Sequence, residues 1–84
     1  MIHKYRKTAL IEAEQFNGTQ TMMVKYGIFV HPEAHYFMDK PLYTLKTKEG
    51  DMEVKPYDYI ATGIDGEHWA IDKDIFERTY ERCD

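Results

Sequence analysis

Along residues 8–16, TALIEAEQF, side chains sort onto two sides with a period of two. Ala9, Ile11 and Ala13 fall on one side, and Leu10, Glu12, Glu14 and Phe16 on the other. The pattern predicts a β-strand, flanked on both faces where it starts apolar. The segment NGT then breaks the alternation. Thr19 is placed to cap a short helix, Met22, Met23 and Tyr26 follow at helical spacing, and Gly27 suits a left-handed stop. Ile28 begins a short strand that Pro32 interrupts, and the stretch to Pro41 reads as a long loop.

From Leu42 the alternation returns. LYTLKT sets Tyr43, Leu45 and Thr47 on one side; KEGD turns the chain; MEVK returns with Met52 and Val54 inward. Pro56 ends that strand. DYIATGI and EHWAI then flank Asp65-Gly66, a dipeptide that predicts a second hairpin closed by a type I′ turn. Gly63 predicts a bulge or a close backbone approach. In DKDIFERTY, Asp72 or Asp74 can cap a closing helix, with Asp74 and Glu77 resembling a capping box. Its stripe of Ile75, Phe76, Thr79 and Tyr80 is expected to cover a sheet. Together these elements predict an α+β fold, one small, strongly curved antiparallel sheet, barrel-like in part, with two short helices. The expected core is Ile11, Val54, Tyr59, Ile60, Trp69 and Ile71.

Length sharpens this picture: 84 residues predict one domain, residues 1–84, with a thin core. Aromatic residues make up 14% of the chain, and their large buried area offsets the short length, which argues against disorder. The formal net charge is −4, and the one basic cluster is HKYRK at residues 3–7. A duplex nucleic-acid binder needs a basic face, so the balance argues against one. The single cysteine, Cys83, forms no internal disulfide, which fits a reducing compartment. No apolar run approaches the length of a membrane span or a signal-peptide core. The expectation is a cytoplasmic protein with no membrane partner.

Candidate chemistry is sparse. Glu12 and Glu14 share a strand face, where paired carboxylates can serve acid–base or metal work but also fit a solvated outer face. His31 and His35 form H-x-x-x-H without a third ligand at metal-site spacing, so no metal or other cofactor is expected. Asp58, Glu67, His68 and Tyr59 hold acid–base groups, yet Glu67 and His68 would point to opposite faces of one strand. The chain has no phosphate-cradling glycine loop, nucleophile elbow or cysteine–histidine motif.

Two segments, YRKTALIEAEQF near the start and EGDMEVKPYDYIATGIDGEHWAIDKDIFERTYE near the end, carry a resemblance. They resemble a group of small, mostly uncharacterised proteins common in bacteriophages and prophages. That group runs Y-R-K…E-A-x-Q-F and then V-x-P-G-D-Y-I…G-x-x-G-E…I-F-x-x-x-Y. The resemblance implies a genomic setting and a shared fold, and no activity. Gly50, Val54, Pro56, Asp58, Tyr59, Gly63, Gly66, Glu67, Ile75, Phe76 and Tyr80 keep the pattern. Two departures stand out. Tyr57 occupies the position of the group's P-G-D-Y glycine, and WAIDK replaces a proline- and cysteine-containing segment.

These readings lead to a non-enzymatic phage or prophage accessory protein that binds a host protein or a host-made small molecule. Tyr36, Phe37, Tyr57 and His68 are the candidate binding residues, with Trp69 a further aromatic anchor. A nucleic-acid-related binder or acidic mimic is one alternative, and a small metal-dependent enzyme is another. Edge strands of an open sheet also invite pairing with a second copy.

Overall fold

The structure, a computed structural model, describes residues 1–6, 8–31 and 42–84. Chain order is β1 (Glu12–Gln15), α1 (Gln20–Tyr26), β2 (Ile28–His31), β3 (Leu42–Thr47), β4 (Gly50–Val54), β5 (Tyr59–Thr62), β6 (His68–Ile71) and α2 (Lys73–Thr79). Both helices end where the capping chemistry places them. The Thr19 hydroxyl accepts the Met22 N–H at 3.4 Å, and Gly27, at φ 69°, donates its N–H to the Met23 carbonyl. At α2 it is Asp72, and not Asp74, that caps: its Oδ1 accepts the N–H groups of Asp74 at 3.0 Å and Ile75 at 3.3 Å.

The α+β class is as expected, but the strands form two antiparallel sheets, β1-β5-β6 and β2-β3-β4. Neither closes into a barrel. The division originates at the Lys55–Asp58 turn. Asp58 donates its N–H to the Lys55 carbonyl at 3.0 Å, with Pro56 and Tyr57 at the corner and Tyr57 at φ 76°. Tyr57 N–H donates to Phe16 C=O at 2.8 Å, and Phe16 N–H donates to Asp58 C=O at 2.7 Å. Tyr57 and Asp58 therefore oppose the single residue Phe16 in a β-bulge whose left-handed first position ordinarily belongs to glycine. The bulge turns the chain away from β4 and delivers β5 to β1, with Glu12 facing Thr62 and Gln15 facing Tyr59.

Phe16 is fully buried at this crossing and packs edge-on against Tyr43, ring centres 5.0 Å apart. Around it lie Met22, Ile28, Leu45, Val54 and Ile60, contributed by α1 and both sheets. Of the expected core residues, Val54 and Ile60 are buried, whereas Ile11, Tyr59, Trp69 and Ile71 are half-buried. The latter share the opposite face of the β1-β5-β6 sheet, against which the seven-residue α2 packs through Phe76. The α2 stripe is also narrower than its spacing predicted: Phe76 stacks on Tyr59 at 3.9 Å and on Tyr80 at 4.9 Å, while Ile75 and Thr79 stay exposed.

The second hairpin closes differently from the type I′ expectation. Gly63 N–H donates to Glu67 C=O at 2.9 Å and Gly66 N–H to Gly63 C=O at 3.0 Å. Gly66, at φ 80°, supplies the left-handed residue after a wider turn, and Asp65 keeps negative φ. Gly63 is the predicted close approach, since a Cβ there would meet the Glu67 side chain and lie 3.0 Å from the Trp69 ring. At the seam between the sheets, the outward N–H of Ala70 donates to Met52 Sδ at 3.2 Å. Among the described residues no helix is long and apolar enough to cross a membrane, which says nothing of strands.

Candidate functional site

The register Glu12–Thr62–His68 and Glu14–Ile60–Ala70 puts these six side chains on one face of the β1-β5-β6 sheet. The half of that face nearest Phe16 belongs to the core. The other half is polar, and the last turn of α1 leans over it. Between them lies a cleft of about 560 Å³ lined by Glu12, Glu14, Lys25, Tyr26, Thr62 and His68, a volume suited to small molecules.

Glu14 organises this cleft. Its Oε1 accepts from Lys25 Nζ at 2.8 Å and from the Tyr26 hydroxyl at 2.6 Å. These bonds, the Lys25 one foremost, hold the Glu14 carboxyl below its ordinary value of 4.5. The Glu14 bond likewise raises Lys25 above 10.5, and burial together with Glu14 raises Tyr26 above 10.0. At neutral pH the trio is thus a fixed carboxylate, ammonium and neutral phenol. Tyr26 also meets the His68 ring edge-on, centres 5.0 Å apart. Thr62 Oγ1 lies 2.9 Å from His68 Nδ1 and fixes the ring, which leaves Nε2 as the nitrogen His68 has to offer a ligand.

Of the sequence-predicted site residues, the two that are described, Tyr57 and His68, lie apart. His68 lines the cleft. Tyr57 sits beyond the far end of β5 and is 63% exposed. Tyr59 to Thr62 alone separates the two by about 10 Å of strand. Tyr36, Phe37 and His35 lie outside the described residues. Asp58, weighed as an acid, is buried and spends Oδ2 on the Lys55 N–H at 2.9 Å, a turn-closing role. Among the described residues no group of three or more His, Cys, Asp and Glu could hold a metal ion.

Sequence reasoning missed Lys25 and placed Tyr26 only on a helical stripe with Met22 and Met23. Glu14 stood out only as a partner of Glu12. What unites the three is the way α1 folds back over β1, and no residue spacing within TMMVKY encodes that return. No family model, no curated protein and no solved structure matches the chain.

Proposed function

We propose that this chain is a non-enzymatic binding protein whose ligand, a small polar molecule, occupies the cleft between β1 and α1. The Glu14–Lys25–Tyr26 arrangement carries this reading. Its three groups hold one another in single protonation states across the neutral range, which suits recognition by fixed donors and acceptors better than proton transfer. Lys25 presents a donor at the opening, His68 a ring nitrogen, and Glu12, whose carboxylate has no hydrogen bond or ion pair among the described residues, an acceptor. A ligand carrying both kinds of group matches them. The resemblance at both ends of the chain supports a phage or prophage accessory role in the host cytoplasm, and hence a host-made ligand.

Native mass spectrometry after exposure to the small-molecule fraction of a bacterial lysate tests this. The wild type is expected to gain a few hundred daltons, roughly what such a cleft encloses. Lys25→Ala and His68→Ala should lose the added mass with an unchanged circular dichroism spectrum. Absence of any adduct, or one indifferent to both substitutions, refutes the proposal.

Tyr57 favours a second reading, contact with a host protein. Its backbone is tied through its N–H to Phe16 and through its carbonyl, which accepts from Gln15 Nε2 at 3.1 Å. The ring therefore projects from a well-held but strained position, where aromatic anchors are effective. Pull-down of one host protein by the wild type and its loss with Tyr57→Gly would favour this reading; equal capture by both would dismiss it.

A further inference from the structure

A second cleft lies on the other face of the β1-β5-β6 sheet. It encloses about 740 Å³ between Leu10–Ala13, the Tyr59–Phe76–Tyr80 ring stack and residues 81–84. Its floor is aromatic. Its rim is acidic, with Glu81 and Asp84, and the cation that lines it, Arg82, is committed to Asp84 at 2.7 Å.

Residues 1–6 have the complementary character. They form no helix or strand, and all are exposed, Ile2 at 96% and Tyr5 at 91%. His3, Lys4 and Arg6 alternate with these apolar side chains, and Lys7 follows. Leu10, where this arm joins the sheet, is 78% exposed although the alternating pattern continues through it. We propose that the arm of one copy fills the aromatic cleft of a second copy, with Ile2 and Tyr5 on the ring stack and the basic residues on the acidic rim.

The arm is poorly built to fill its own cleft. Residues 10–13 form a wall of that cleft, so the arm would have to double back directly ahead of them. No glycine or proline lies among residues 1–15 to make the reversal. Exchange between copies needs no reversal. β1 is an edge strand, and arm and cleft both adjoin it. A two-fold axis beside β1 therefore sends each arm into the other copy's cleft and closes the assembly as a dimer. The charge match further predicts that the dimer weakens with salt.

Sedimentation equilibrium on the full chain tests this. A concentration-dependent dimer is expected, weakened about tenfold or more by Tyr5→Asp or Ile2→Asp, the scale for an interface anchor. Both positions are exposed in the single chain, so neither substitution should disturb its fold. Tyr80→Asp should weaken the dimer from the cleft side. A mixture of Tyr5→Asp and Tyr80→Asp should associate better than either variant alone, because it keeps one intact arm–cleft contact. A wild type that stays monomeric up to about 100 μM, whether its cleft is empty, self-filled or reserved for another partner, overturns the proposal. So does a dimer indifferent to Tyr5→Asp.

Discussion

Replacing Tyr57 with glycine should make this protein more stable, although it deletes an aromatic ring. A side chain held in the left-handed region costs about 1–2 kcal/mol, because Cβ crowds the following carbonyl. Tyr57 bears that cost at φ 76°, and its ring is mostly exposed, so little packing is lost with it. Glycine relieves the strain but adds conformational freedom to the unfolded chain, which takes back about 0.5–1 kcal/mol. The backbone bonds of Tyr57 to Phe16 and Gln15 survive the change. The net gain is about 0.5–1 kcal/mol, or about 2–8 °C in Tm for a chain of this size. Thermal unfolding followed by circular dichroism measures it. Tyr57→Ala is the control: it removes the ring but keeps Cβ, so its Tm should match or fall slightly below the wild type. If Tyr57→Gly melts at or below the wild-type temperature, the strain assigned to this bulge is wrong.

Other outcomes follow from the same structure. Ile60→Ala empties a fully buried position and should cost about 2–5 kcal/mol by urea denaturation, much of the stability such a chain has. Asp72→Ala removes the α2 cap and should cost about 1 kcal/mol, seen as a lower urea midpoint with unchanged slope. Acid should destabilise the fold: Glu14 is held below 4.5 by Lys25, and Asp72 below 3.8 by Lys55 and the helix amides. Their contribution is present above those ordinary values and lost as pH falls through the depressed ones. Tyr26, Lys25 and Lys55 are raised, so their contribution holds below pH 10.0–10.5 and is lost above it. Urea midpoints across pH should trace both flanks, and Glu14→Gln should flatten part of each.

Local chemistry was readable where one residue type has one good use. Thr19 and Gly27 announced the ends of α1, Asp72 or Asp74 the start of α2, and the turns around Glu49 and Gly66 announced two hairpins. The pairing of β1 with β5 was not readable, because it joins opposite ends of the chain through a bulge that a tyrosine occupies in place of glycine. That one contact explains most of the misplaced core. It buries Phe16, which strand alternation grouped with Glu12 and Glu14. It also leaves Tyr59, Trp69 and Ile71 on a face that a two-turn helix cannot cover. Of the candidate site, His68 was anticipated as a binding residue and Glu12 and Glu14 as a carboxylate pair, but it takes that same long-range contact to bring His68 to the pair and to Lys25 and Tyr26.

The β1–β5 pairing also sets an order of events. β2-β3-β4 and β5-β6 join neighbours in sequence, so each can form early and close to its final shape. Bringing Glu12 to Thr62 requires closing most of the chain into a loop, the slowest kind of contact to make. During synthesis β1 emerges before α1, β2, β3 and β4 and waits for a partner that follows them all. Until it docks, Thr62 and His68 have no place beside Glu14, Lys25 and Tyr26, and the polar cleft does not exist. A ligand of that cleft would therefore recognise only the finished molecule, and by binding would hold its last-formed strand in place.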